Sequence, residues 1–281
     1  MANLTVAFQG ERGSFSEEAA YRLLGRHIRL LACENFAATF HSVTEGKASA
    51  CLVPIENTLA GSVYENFDLL LQNHLHIIGE VNLRIVHNLI ALPGTARREI
   101  RQVYSHPVAL AQCSRFFSRH PGIEKIPFYD TAGAVKMLAG RSRGAGRGAA
   151  AIASRIAAEV YGARILATHL EDHRENYTRF FLLSKNARPL GGMRQANKIS
   201  IVFSTRNVPG ALYKCLSVFA VRDIDLTKME SRPLRGRPWE YFFYLDFVGN
   251  LREARCRKAL DHLEEVTNFL RVLGCYQGAK R

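Results

Sequence analysis

Between Leu4 and Leu71 short apolar runs alternate with helix-spaced segments, and this alternation constrains the fold more tightly than any other feature. Strands are predicted at Leu4–Phe8, Ile28–Cys33 and Ala50–Ile55, with helices at Phe15–Leu24, Phe36–Glu45 and Val63–Leu71. In the first helix Phe15, Ala19, Leu23 and Leu24 share a side, and Ser14 and Glu17 have the spacing of a capping box. A βαβα order calls for a parallel sheet covered by helices. From His74 to Gly94 the text is strand-like, and beyond it the alternation resumes. Helices are predicted at Pro107–Phe117, Thr131–Ala139 and Arg155–Tyr161, and NYTRFFLLSK closes the region as a strong strand. The pattern implies two α/β lobes, with the chain crossing near residue 80 and returning near residue 170. Ligands of such folds sit at the carboxyl ends of strands or between lobes.

Residues 186–197, rich in Gly, Pro and polar groups, read as a linker that separates a domain over 1–185 from one over 198–281. The second domain has the order β-α-β-β-α-β, that of a ferredoxin-like unit. A length of 281 residues suits two domains of ~100–200 residues each. No run approaches the ~18 apolar residues of a membrane span. The start lacks a basic segment followed by an apolar one, so a cytoplasmic protein is expected. Six widely spaced cysteines, none in a CxxC pair, fit reduced thiols. The net charge of +13 raises nucleic acid as a partner. The surplus is spread along the chain, however, and its densest cluster is only Arg141, Arg143 and Arg147. A spread positive surface suits a small anionic substrate, and neither nucleic acid nor membrane is expected as a partner.

Four loops hold candidate chemistry. QGERGS, between a strand and a helix, offers backbone N–H groups to a carboxylate or phosphate, or is a plain glycine turn. Glu56, Asn57 and Thr58 stand at a strand end, either at a ligand or as a turn before a helix. Ser105 and His106 end another strand. As strand neighbours they point to opposite faces, so Ser105 is read as a donor to substrate and His106 as structural. In ENYTRF, alternation gives Asn176 and Thr178 one face and Arg179 the other. Paired metal ligands at recognised spacing are not found.

Taken together, GERGSFSEEAA, VPIENTLAGSV, YSHPVALAQC and NYTRF resemble prephenate dehydratase, and NVPGALYKCLSVFAVRDIDLTKMESRP resembles an ACT regulatory domain. The resemblance covers essentially the whole chain. It is of the short type that begins at the dehydratase domain, with no room for a chorismate mutase domain. It implies a bilobal catalytic domain like type 2 periplasmic binding proteins, followed by the ACT domain. It also implies a homo-oligomer, commonly a dimer of dimers (a homotetramer). The family's essential threonine falls on Thr178, and Asn57, Thr58, Ser105 and Arg179 match substrate-pocket positions. Thr58 stands where the family often has serine, and Val108 where it often has glutamine.

The implied reaction converts prephenate to phenylpyruvate, water and carbon dioxide in phenylalanine synthesis. Aromatisation drives it, so no cofactor or metal is implied. Thr178 is expected to assist departure of the ring hydroxyl, and Arg179 to act on the side-chain carboxylate or on cleft structure. Phenylalanine is expected as an allosteric inhibitor. Its site would use Asn207, the helix start at Gly210, Ala211 and Leu212, and Glu230, Ser231 and Arg232 of the ESRP segment. Arogenate dehydratase uses the same scaffold on the aminated analogue, and a non-catalytic sensor of a small acid is the alternative of another class.

Overall fold

The computed structural model describes residues 4–141, 148–234, 236 and 239–279. Arg143 and Arg147 of the arginine cluster lie outside them. The chain divides into two compact units, one of residues up to Asn73 with Val81–Phe181, the other of His74–Glu80 with the chain from Leu182 onward.

In the first unit, lobe 1 contains β1 (Thr5–Gln9), α1 (Phe15–Leu24), β2 (Arg29–Cys33), α2 (Phe36–Thr44), β3 (Ala50–Asn57), β4 (Gly61–Ser62), α3 (Tyr64–Gln72) and the later part, from Val81, of β5 (His76–Arg84). Lobe 2 contains β6 (Asn88–Ala91), β7 (Gln102–Ser105), α4 (Pro107–Ala111), α5 (Ser114–Ser118), β8 (Glu124–Pro127), α6 (Thr131–Ala139), β9 (Ala149–Ala153), α7 (Arg155–Val160) and β10 (Arg164–Ala167). The chain then returns to lobe 1 as β11 (Tyr177–Ser184), whose residues from Leu182 onward belong to the second unit. The first sheet runs β2-β1-β3-β11-β5 with β4 paired to β3, and the second runs β10-β6-β9-β7-β8.

β1 is parallel to β2 and β3, so the loop after Gln9 and the loop at Asn57 emerge at one sheet edge. β7 is likewise parallel to β8 and β9, which brings the loops after Ser105, Pro127 and Ala153 to one edge of the second sheet. Buried Val6, Ala7, Phe8, Phe40 and Leu52 fill the core of lobe 1. Apolar layers on both sides of β9 fill lobe 2, with Phe116, Ala150 and Ile152 in one and Val135, Ala149 and Ala151 in the other. A strand buried on both faces has no need of polar alternation, hence the run Ala149–Ala153.

One predicted helix differs from the expectation. Pro107–Phe117 is two short helices broken at Gln112 and Cys113. The Asp172 carboxylate accepts from the backbone N–H groups of Ser114 and Arg115, both at 2.9 Å, while the Asp172 N–H donates to the Gln112 carbonyl at 2.7 Å. These bonds give α5 its own N-terminal cap and end α4 at Gln112.

The second unit contains β12 (Lys198–Ser204), α8 (Ala211–Ala220), β13 (Leu226–Pro233), β14 (Tyr241–Val248), α9 (Ala254–Val266) and β15 (Phe269–Tyr276), in sheet order β13-β14-β12-β15. This is the ferredoxin-like arrangement. Its core joins Ile199, Ile201 and Phe203 of β12 to Val218 and Phe219 of α8 and Leu263 of α9. Ala196 and Met193, within the segment read as a linker, also pack on this core.

Candidate active site

The chain crosses from lobe 1 to lobe 2 between Arg84 and Asn88 and returns between Ala167 and Tyr177. The two crossovers run side by side: the Leu170 N–H donates to the His87 carbonyl at 3.0 Å, and the Ile85 N–H to the Asn176 carbonyl at 2.8 Å. The Glu171 carboxylate accepts from the His87 N–H at 3.0 Å. Of the predicted substrate-site residues, Asn57, Thr58 and Thr178 converge beside this pair of crossovers.

Asn57 is the centre. Its Oδ1 accepts from the backbone N–H groups of Leu59 at 3.0 Å and Ala60 at 2.8 Å, an Asx-type turn at the end of β3. Its Nδ2 faces three oxygens: Asn176 Oδ1 at 2.8 Å, the Tyr177 carbonyl at 3.1 Å and Thr178 Oγ1 at 3.0 Å. The backbone thereby fixes which end of the Asn57 amide is oxygen, because peptide N–H and C=O groups cannot exchange roles. Thr178 Oγ1 is an acceptor from Asn57, so the hydroxyl keeps its own proton for another partner. The predicted alternation is visible here, since one amide reaches both Asn176 and Thr178.

Gln112, which the sequence reading left out, extends the network. Its Oε1 accepts from Asn176 Nδ2 at 2.9 Å and stands 2.9 Å from His87 Nε2, and its Nε2 lies 3.5 Å from Asn57 Oδ1. The side chain reaches this place because α4 ends at Gln112. Val108, which stands at the usual glutamine position, is exposed on α4 one helical turn before Gln112.

Two residues expected to meet substrate have their hydroxyl protons in use. Ser105 is fully buried and donates to the Ile152 carbonyl at 2.6 Å, tying β7 to β9. A strand-end position reveals the edge but not which way a small hydroxyl turns. Thr58 Oγ1 donates to the Glu175 carbonyl at 2.7 Å and accepts from the Tyr177 N–H at 3.0 Å, which pins the entry of β11. Arg179 is buried, with Nη1 3.2 Å from Glu56 Oε1 and its guanidinium 4.7 Å from the centre of the Phe181 ring. Both contacts are to lobe 1, on β3 and β11.

The QGERGS loop is not an open anion site. Ser14 caps α1, with its Oγ accepting from the Glu17 N–H at 3.4 Å. The buried Glu17 carboxylate takes the Gly13 N–H at 2.7 Å and Arg12 Nε at 2.9 Å. The expected box therefore closes on Gly13 rather than on Ser14. Gly13 has φ +84°, and a Cβ there would lie 2.6 Å from Ala157 Cα, so only glycine permits this approach of the lobes. Ser154 Oγ donates to the Gly13 carbonyl at 2.5 Å. Nearby Glu11 receives Tyr129 Oη at 2.9 Å and Lys136 Nζ at 2.8 Å from lobe 2, bonds that join the two lobes. The hydrogen bond from Lys136 holds the Glu11 carboxyl below its usual range, against a smaller opposing effect of burial. Burial, with Glu11 beside it, pushes the Tyr129 phenol up to about 12. Among the described residues no three of His, Cys, Asp and Glu group closely enough to hold a metal ion.

In the ferredoxin-like unit Asn207 and Gly210 lie on an exposed loop before α8, and Gly210 takes the left-handed conformation with φ +77°. Leu212 is half-buried, and the Ala211 N–H donates to the Val208 carbonyl at 3.2 Å, so it is not available to a ligand as expected. On β13 Glu230 and Arg232 share the half-buried face, and Ser231 points to the other, exposed face.

The family profile described as prephenate dehydratase matches residues 6–188. The chain is 42% identical over 284 residues to "Arogenate dehydratase/prephenate dehydratase 2, chloroplastic" of Arabidopsis thaliana, covering 98% of this chain and 73% of that protein. A prephenate dehydratase from Arthrobacter aurescens, solved in complex with L-Phe, superposes with a TM-score of 0.87 at 32% identity, covering 97% of this chain and 89% of the other. A structure described as GqqA, a novel type of quorum quenching acylase, gives 0.88 at 32% identity and 98% coverage of both chains. With a dehydratase profile over most of its length and a dehydratase relative at 42% identity, the chain belongs to the prephenate dehydratase family.

Proposed function

We propose that this protein converts prephenate to phenylpyruvate, with Thr178 as the residue that touches the leaving hydroxyl. One observation carries the reading: Thr178 Oγ1 accepts from Asn57 Nδ2 at 3.0 Å and so keeps its own proton for another partner. In the reaction the bond to the ring carboxylate breaks, and its electron pair enters the ring. The C–OH bond breaks with its pair on oxygen. One proton is taken up to make water, and carbon dioxide leaves. A positioned donor at the developing hydroxide is worth about 3–4 kcal/mol of barrier. Asn57, Asn176 and Gln112 orient the donor, and the Arg179–Glu56 pair supports the strand that carries it.

The arogenate reading stands close behind, since the Arabidopsis relative bears both activities in its name. The two substrates differ only at the side-chain carbon, which is a ketone in one and carries an ammonium in the other. An acylase reading is weaker on this site. Amide hydrolysis calls for a base beside the nucleophile, and the partner of Thr178 is an amide donor. Steady-state rates on prephenate and arogenate, side by side in chelator with no added cofactor, decide the matter. The expected result is a higher kcat/KM on prephenate. Preference for arogenate would move the assignment to the aminated substrate, and turnover of neither would overturn the dehydratase reading.

Phenylalanine is proposed as the regulator, bound at the ACT domain by Asn207, Gly210 and Leu212 with Glu230 and Arg232, in a homotetramer built as a dimer of dimers. The Arthrobacter relative was solved with L-Phe, and the loop at Gly210 is exposed here. Titrating phenylalanine against initial rate should lower activity in the micromolar to millimolar range. A rate unchanged at millimolar phenylalanine would remove the regulatory proposal and leave the catalytic one standing.

A further inference from the structure

We infer that His87 is a positioning residue of this site, whose Nε2–H anchors Gln112 and, through it, Asn176 in the hydrogen-bond polarity that leaves the Thr178 proton for substrate. The inference rests on the dehydratase reading above. It begins at the backbone. The Leu59 and Ala60 N–H groups fix Asn57 Oδ1, and the Tyr177 carbonyl fixes Asn57 Nδ2. Asn57 Nδ2 then requires oxygen at the facing atom of Asn176, which is Oδ1 at 2.8 Å. The other end of Asn176 is therefore the Nδ2 that donates to Gln112 Oε1 at 2.9 Å. That oxygen lies 2.9 Å from His87 Nε2, so the proton of the imidazole must sit on Nε2. The opposite tautomer would set two lone pairs against each other there. It would also bury an N–H at Nδ1, which has no hydrogen-bond partner among the described residues.

The ring is held for this task. His87 is 2% exposed, its backbone N–H and carbonyl are both bound to the returning crossover, and the Phe15 ring meets it edge-on at 5.6 Å. Burial also holds the imidazole below its usual pKa, which keeps it neutral. His87 is distant from substrate in this chain of bonds and acts only through its partners. Without the Nε2–H, Gln112 Oε1 keeps a single donor, and the amide is free to turn its nitrogen toward the empty place. That movement weakens the hold on Asn176 and, through Asn57, on Thr178.

The test uses full-length protein and three variants. His87→Leu should lower kcat about tenfold on the preferred substrate while KM moves less than about threefold. His87→Gln, whose amide nitrogen falls where Nε2 was, should recover most of that loss. In a Thr178→Ala background His87→Leu should cost less than about threefold more, because the group it positions is gone. Nitrogen-15 spectra of the wild-type imidazole should report the Nε2–H tautomer, a readout that does not depend on any variant folding. An Nδ1–H tautomer, or full kcat in a folded His87→Leu protein, would overturn the inference alone. A wild type inactive on both prephenate and arogenate would overturn the dehydratase reading beneath it.

Discussion

Asn57→Asp should reduce kcat about a thousandfold in a protein that is also destabilised by about 1–3 kcal/mol, although only one NH₂ has been exchanged for oxygen. The Asn57 amide nitrogen faces three oxygens within 3.1 Å: Asn176 Oδ1, the Tyr177 carbonyl and Thr178 Oγ1. A carboxylate in its place repels the Tyr177 carbonyl, which keeps only the Thr58 N–H at 2.9 Å, and forces the Asn176 amide either to face it oxygen to oxygen or to turn and break its bond to Gln112. The third oxygen can adapt, and that is the larger injury to catalysis. Thr178 would turn its proton onto the carboxylate and have none for the leaving hydroxyl. The other side of the residue would tolerate the change, since the Leu59 and Ala60 N–H groups donate to an oxygen in either case. Kinetics and thermal unfolding of the same preparation check both effects. A kcat within about tenfold of wild type would mean that Asn57 does not set the state of Thr178.

The sheets of both units were legible because periodicity is a local property. The first turn of α1 and the whole of α6 are capped by Ser14 and Asp130, the neighbours preceding them in sequence. The break between α4 and α5 was not legible, because the carboxylate that caps α5 belongs to Asp172, 58 residues beyond Ser114. The same distance problem governs the site. Alternation along NYTRF places Asn176 and Thr178 on one face, and the structure adds Asn57, 119 residues before Asn176, as the amide that bonds both. Gln112 and His87 carried no signal of this kind. His87 lies in a stretch that reads only as strand-like, and Gln112 reads as the middle of one continuous helix. Ser105 shows the converse error, where a position at the right sheet edge was taken for a direction of the side chain.

Thr178→Ala should lower kcat by about 10²–10³ with a smaller change in KM, the loss expected when one preorganised donor is removed from a developing oxyanion. The fold should survive. Thr178 is half-buried, and the strand around it is held by Thr58 at Tyr177 and by the Arg179–Glu56 pair, neither of which uses its hydroxyl. Removing that hydroxyl leaves Asn57 Nδ2 with the Asn176 and Tyr177 oxygens, which is enough for its two hydrogens. Thr178→Ser retains the hydroxyl and the acceptor, and should keep activity within about tenfold of wild type, at some cost in rotamer freedom. The direct measurement is therefore kcat for wild type, Thr178→Ser and Thr178→Ala on the preferred substrate, with circular dichroism to confirm folding. A rank order of wild type, serine and then alanine, with alanine down by a hundredfold or more, is the result predicted. Near-normal kcat in a folded alanine variant would contradict the claim that the proton left free at Thr178 does the chemistry.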